Sequence, residues 1–360
     1  MMKKLDWYLI RKFLGTFVYS MMLIILIVIV FDISEKISDF IEKKAPFNAI
    51  VFDYYVNFIP FFVNMFSALF TFIAVVFFTS RMAANSEIIA MLSSGISFRR
   101  LLVPYLICAV IIGLLNVYLS NVLIPNVNKP RIEFEHKYIM NPYYNSARNI
   151  HFQGDTSTFY YVESFDVHSF SGYRFTMEDI SPENGLSSKL IAESIRFDTA
   201  QNIWKLYNYH SRILDSVGEK IEHGYEKTLD LPIRPEDFSR DNYNVSTMDH
   251  RELKAFIKQE RMRGSNQIKG YEYDAMVRFS HPFSALILTL IGVAISSRKV
   301  RGGTGFHLAM GLFVAFTFIL FLQLARVFAA LGNFPVWLAA WLPIILFGCV
   351  ALILLRTAPK

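Results

Sequence analysis

Six stretches of this chain contain no Asp, Glu, Lys or Arg: residues 13–31, 54–80, 101–128, 279–297, 302–325 and 327–355. A helix rises about 1.5 Å per residue, so even the shortest nearly covers the ~30 Å hydrocarbon layer of a bilayer. Six membrane helices are therefore expected. The composition agrees, with 53% apolar and 16% aromatic residues against only 18% charged, which leaves too little charge for a purely water-soluble surface. The first apolar stretch is longer than the core of a secretory signal and is followed by no small-x-small cleavage pattern, so it is expected to stay in the membrane.

Charge at the helix ends sets the orientation. One side collects Lys3, Lys4, Arg11, Lys12, Arg81, Arg99, Arg100, Arg298, Lys299, Arg301, Arg356 and Lys360 against Asp6 and Glu87, and the positive-inside rule makes that side cytoplasmic. Both termini are expected there. The polar segment 127–278 then falls on the outer side. It holds 20 basic and 23 acidic residues, so the formal net charge of +6 comes from the membrane part. The high pI reflects topology, and no zinc-finger or RNA-binding aromatic signature accompanies it, so no nucleic-acid partner is expected.

Within the outer segment, short runs of aromatic and β-branched residues alternate with turn signals at 159–163, 174–177, 190–197, 203–209 and 220–231. These predict half-buried strands, with a tight hairpin at 198–202 and an antiparallel sandwich or roll. Further on, Ser246 and Asp249 fit a capping box, Leu253, Phe256 and Ile257 share a helical face, and Gly264 suits the end of that helix. The expected organisation is thus 1–126 with helices one to three, 127–245 as a β-domain, 246–278 as an amphipathic helix and connector, and 279–360 with helices four to six. The two cysteines, Cys108 and Cys349, both lie in apolar stretches, so no disulfide framework is available.

The turn between helices two and three, residues 81–100, contains a helix at about 84–95 that is too short to span a bilayer. Asn85 or Ser86 is expected to cap it, Glu87 sits in its first turn where the helix dipole favours an anion, and Gly95 closes it. Ile88, Ile89, Met91 and Leu92 form an apolar face. That face either docks into a partner's groove or folds back on the chain's own helices.

Leu5-Asp6-Trp7-Tyr8 ahead of helix one, the run Ser86-Glu87-Ile88-Ile89-Ala90-Met91-Leu92-Ser93-Ser94-Gly95, Pro282 opening helix four and the basic turn at 298–301 together resemble the LptF/LptG (YjgP/YjgQ) permease family of lipopolysaccharide export. The likeness covers essentially the whole chain, and the Leu-Asp start leans towards the LptG branch. The resemblance implies an α-helical inner-membrane protein with six transmembrane helices and a jellyroll-like periplasmic insertion. It implies the membrane half of an ABC transporter that extracts lipopolysaccharide. It further implies a second LptF/LptG-type permease that would complete a cavity, an LptB-like ATPase dimer that would bind ATP and Mg, and LptC- and LptA-like proteins that would receive the lipid. Ser86, Glu87, Ile88, Met91, Leu92 and Gly95 would contact the ATPase. A lysine that the LptG branch carries near the outer end of helix one is replaced here by Asp32, leaving Lys36, Lys43 and Lys44 as nearby cations for lipid phosphates.

The chemistry fits. Removing acyl chains from hydrocarbon costs about 0.8 kcal/mol per CH₂, so export needs an apolar cavity and an outside source of work. Phe17 and Met21 in helix one and Phe313, Phe316 and Phe321 in helix five are candidate lining. The chain itself has no G-x-x-x-x-G-K-[ST] phosphate loop, and no cofactor of its own is expected. An intramembrane enzyme is disfavoured because the eight histidines form no H-E-x-x-H and no G-x-S-x-G occurs. A non-transporting envelope scaffold shares the same topology and differs only in activity.

Overall fold

The computed structural model describes residues 4–139, 148–154, 157–166, 169–181, 185–199, 201–215, 218–235, 245–262, 265, 267–298, 303–332 and 334–357. Contacts divide the chain into two compact units, Met1–Met140 with Val245–Lys254 and Lys269–Lys360, and Asn141–Asn244 with Ala255–Ile268. The first is helical. Its elements are α1 (Lys4–Glu42), α2 (Phe47–Ala84), the short α3 (Glu87–Ser93), α4 (Phe98–Tyr138), α6 (Ile268–Ser280), α7 (Pro282–Ser296), α8 (Gly303–Ala330) and α9 (Val336–Thr357). The division falls within α5 (His250–Met262), whose residues through Lys254 belong to the first unit and the rest to the second.

Five of these, α1, α2, α4, α8 and α9, are long and apolar enough to cross a membrane, and the count reaches six if α6 and α7 form one span bent by 52°. The bend has a local cause. Pro282 lacks the N–H that would continue the ladder, and the apolar part beyond it is only 15 residues, about 22 Å at helical rise, so the more polar α6 has to supply the rest. The stretch expected to be a fourth span at 279–297 is thus the shorter half of a bent helix pair, and the pair crosses a membrane only if both halves are counted together. The last span also starts later than the uncharged run at 327–355 indicates: residues through Ala330 continue α8, Gly332 turns with φ 78°, and α9 begins after Pro335. Past residue 126, α4 runs on as helix to Tyr138 and packs with its own unit, later than the boundary expected there.

Four apolar clusters among the described residues hold the helices together, and the two largest run through the middle of α2. Phe13 of α1, Phe70 and Val75 of α2, Ile88 of α3, Leu101 and Cys108 of α4 and Ala285 of α7 belong to one; Phe72 of α2, Leu288 of α7, Ala315 and Phe318 of α8 and Phe347 of α9 belong to the other. Helices α2 and α7 thus serve both. Two π-helical turns, Ile50–Tyr55 in α2 and Leu119–Leu123 in α4, interrupt the regular ladders.

The second unit carries a six-stranded antiparallel sheet, β1 (Arg148–Gln153), β2 (Thr158–Asp166), β3 (Ser171–Ser181), β4 (Gly185–Asp198), β5 (Ile203–Asp215) and β6 (Gly218–Leu229), paired in sequence order. Strands fall where the aromatic runs predict them, joined by β1 and extended at the ends, and Asn202 takes the left-handed conformation (φ 61°) in the β4–β5 hairpin. Consecutive order makes the described strands a meander; a jellyroll needs non-consecutive neighbours in addition. Val162, Phe175, Ala192, Ile195, Trp204 and Leu206 are buried on one face, and the Trp204 indole donates to the Ile233 carbonyl at 2.9 Å. Every one of β2 to β5 changes face at the same level: Val162 and Phe165, Phe175 and Gly172, Ala192 and Ile195, and Leu206 and Tyr209 are all buried, three apart rather than two. Arg174 and Asn208, on this line, have φ 51°. Because neighbouring strands shift together, the register continues across the line, with Val162 opposite Phe175 and Ser164 opposite Tyr173.

At the start of α5 the cap is Asp249. Its carboxylate accepts from the backbone N–H of Arg251 (2.6 Å) and Glu252 (2.7 Å), while the Glu252 carboxylate accepts from the Asp249 N–H at 2.9 Å. The capping box is thus Asp249 with Glu252. Ser246, expected to open it, lies in a 3₁₀ turn (Val245–Thr247) and accepts from Asn128 Nδ2 at 2.8 Å. Gly264 lies outside the described residues.

Candidate functional site

The turn between α2 and α4 is built from two reversals. Ser86 takes φ 62° and ends α2, its N–H donating to the Ala83 carbonyl at 3.0 Å, and at the same residue α3 begins without a side-chain cap bond. The expected side-chain cap from Asn85 or Ser86 is therefore absent, because the left-handed backbone makes the reversal. Gly95 closes α3 as expected: at φ 87° its N–H donates to Leu92 O at 3.0 Å and the Ile96 N–H to Met91 O at 3.3 Å, a Schellman motif.

The apolar residues of α3 do not share one outward face. Ile88 is 1% exposed and belongs to the core with Leu9, Phe13, Met82 and Leu101, with Met91 and Leu92 half-buried against it. These three fold back on the chain's own helices. The solvent side carries Ile89, 49% exposed, with Ala90, Ser93 and Ser94. Glu87 sits at the rim and accepts from the Tyr8 hydroxyl of α1 at 3.1 Å. Nearby, buried Asp6 pairs with Arg100 at 2.5 Å.

Towards the other end of α1, Asp32 is the centre of a polar cluster. Lys36 donates to its Oδ1 at 2.6 Å and also reaches the Tyr54 hydroxyl, while Tyr54 and Tyr55 donate to the same carboxylate at 3.3 and 3.0 Å. Two consecutive tyrosines reach one carboxylate because they end the π-helical turn, which closes i to i+5 instead of i to i+4. Lys43 donates to the Ile139 carbonyl at 3.4 Å, and Lys44 is exposed at the end of α1 with φ 51°. The three lysines thus have different settings: Lys36 is already paired, Lys43 is half-buried and Lys44 faces out.

The candidate lining residues also separate. Phe17 (6%) and Met21 (5%) are buried in the chain's own core, which corrects the expectation that they line an open cavity; the outward face of α1 is Tyr19, Met22, Leu26, Val30 and Ile37. On α8, Phe313 and Phe316 do face out, at 69% and 59%, whereas Phe321 packs its ring 6.0 Å from Phe347. Exposed Phe306, Met310, Phe313, Leu320, Leu324 and Val327 are spaced by three, four or seven residues, so they share one side of α8 as a seam.

Sequence reasoning missed a cleft of about 420 Å³ between α2, α4, α6, α7 and α8. Phe61, Met65, Leu69, Leu288, Phe318 and Leu322 make it apolar, and Asn64, Asp274, Arg278, His281, Gln323 and Arg326 give it a polar side. Arg326 pairs with Asp274 at 3.3 Å, and Arg278 donates to the carbonyls of Met248 (2.9 Å) and Val245 (2.7 Å). Asp274 and Arg278 one turn apart on α6, next to Pro282, were its available signal: ionisable groups beside a helix break mark a site in membrane proteins. Among the described residues no group of three or more His, Cys, Asp or Glu is placed to hold a metal.

A search of curated proteins finds no match to the chain. Against protein families, residues 7–357 match the one described as lipopolysaccharide export system permease LptF/LptG. That span takes in every membrane-capable helix, the short α3 turn and the inserted sheet, so the chain belongs to the LptF/LptG family of inner-membrane lipopolysaccharide export permeases, transporter subunits rather than enzymes.

Proposed function

We propose that this chain is one of two permease halves of an ABC exporter, with its basic helix ends and both termini in the cytoplasm and residues 127–278 in the periplasm. The observation that carries this reading is the uneven burial of the spans. In α1 and α8 only 17% and 22% of the apolar window is buried, against 56% in α2 and 50% in α4. Two helices with that much bare apolar surface, one bearing a seam spaced for helix packing, suit a chamber completed by a second permease. The 420 Å³ cleft supports the same reading, because alone it is too small for an amphiphile with several acyl chains.

In this account the acyl chains of lipopolysaccharide rest on the outward faces of α1 and α8, and Lys43 and Lys44 offer charge to lipid phosphates. Lys36 acts there chiefly by holding Asp32. An LptB-like ATPase dimer binds ATP and Mg and docks on α3 through Ile89, Ala90, Ser93 and Glu87, flanked by Ser86 and Gly95, while Ile88, Met91 and Leu92 carry the force inward. The sheet, extended to a jellyroll, delivers lipid to LptC- and LptA-like partners. A photo-crosslinking side chain placed in turn at Tyr19, Phe313, Phe17 and Met21 tests the chamber. Lipopolysaccharide or second-permease adducts are expected at Tyr19 and Phe313 and not at the two buried positions; equal adducts at all four, or none, contradict it.

A further inference from the structure

The first two turns of α1 grip the α3 turn from two sides. Tyr8 donates to Glu87 at the start of α3, and Asp6, 3% exposed, pairs at 2.5 Å with Arg100 in the first turn of α4, just after α3 ends. Between these polar contacts, Leu9 and Phe13 lie in one cluster with Ile88. The polar contacts fix the rotation of α1 about its axis as well as its depth, which apolar packing alone does not do. Helix α1 is also the best-suited rod in the unit. Its 39 residues contain no proline and no π-helical turn. By contrast α2 has Pro60 and a π turn, and α4 has Pro104, Pro125, Pro130 and a π turn, all features that bend or loosen a helix. A displacement entering at Glu87 therefore has a straight path along α1 to Asp32 and Lys36, roughly 40 Å away at helical rise.

We propose that Asp6 and Tyr8 are positioning residues that couple the α3 turn to α1, so that motion of α3 moves the exposed face of α1 directly, in parallel with α2 and α4. This rests on the reading that α3 receives the work of an ATPase. The test uses the whole exporter in proteoliposomes, with Tyr8→Phe, Asp6→Arg, Arg100→Asp and the Asp6→Arg/Arg100→Asp exchange. Lipid released per ATP should fall about five-fold in the single variants while ATP hydrolysis persists, and the exchange should recover most of it, as expected for residues that act as a pair. Unchanged release per ATP in Tyr8→Phe and Asp6→Arg overturns the proposal, as does an exchange variant as uncoupled as its parents.

Spin labels at exposed Ser94 and Ile33, neither of them in the proposed docking set, give a readout independent of lipid release. Their separation should stay constant between nucleotide-free and nucleotide-bound wild type and change with nucleotide in Tyr8→Phe. A separation that already changes in wild type overturns the clamp. Hydrolysis without lipid release in wild type would instead overturn the export reading, with the clamp still judged by the label distance.

Discussion

Ile88 and Ile89 are chemically identical neighbours with opposite environments, and their contrast tests the α3 turn residue by residue. Burial predicts that Ile88→Ala lowers stability by about 2 kcal/mol or more, read as a fall in the thermal midpoint of the detergent-solubilised chain. Ile89→Ala should leave that midpoint in place and weaken retention of the ATPase; the reverse ranking would contradict the assignment of faces. Gly95→Ala places a Cβ at φ 87° and should cost about 1–2 kcal/mol in the same assay. The glycine was legible in the sequence because only a left-handed residue closes a helix so tightly. The inward face was not, since a seven-residue helix with apolar side chains on both sides takes its orientation from what packs on it, here Leu9 and Phe13 of α1. The same holds for Phe17 and Met21, whose surroundings the composition of an all-apolar helix conceals.

Among elements, α5 offers the clearest pH test. Backbone N–H groups of Glu252 and Arg251 hold the Asp249 carboxyl below its ordinary value. A depressed folded pKa means that the cap's contribution is present above the unfolded value of about 3.9 and is lost as pH falls through the lower folded value. Amide exchange in the first turn of α5 should therefore stay slow near the ordinary aspartate value and speed up only below it. In Asp249→Asn this acid step should disappear. In the sheet, Trp204→Phe removes the donor to the Ile233 carbonyl and should cost about 1–3 kcal/mol, measured by proteolysis of the sheet unit. Strand positions were readable from aromatic runs such as 159–163 and 203–209, yet strand lengths were not. The common change of face near Glu163, Arg174, Glu193 and Asn208 breaks the two-residue alternation that marks a strand, and only pairing with equally shifted neighbours keeps it in the sheet. The π turn that ends in Tyr54 and Tyr55 likewise depends on a tertiary partner, Asp32.

For the molecule as a whole, uncharged runs located the five long membrane-capable helices among the described residues, because hydrocarbon imposes a minimum length that few soluble folds satisfy, but they missed charged α6, the partner of α7 in the bent pair. They were silent on which helices stay bare, since lipid-facing and partner-facing side chains have the same composition. Tyr19, Phe313 and Phe316 look no different in sequence from buried Phe17 and Phe318. The central claim is that these bare faces form half of a lipopolysaccharide chamber driven through α3. It is tested most directly by purifying the chain with its native partners, reconstituting the complex with lipopolysaccharide, and following lipid release with and without ATP. Release that requires ATP and falls when Ile89 is replaced by Asp is the predicted result. ATP hydrolysis that proceeds while lipopolysaccharide stays in the bilayer would contradict the account.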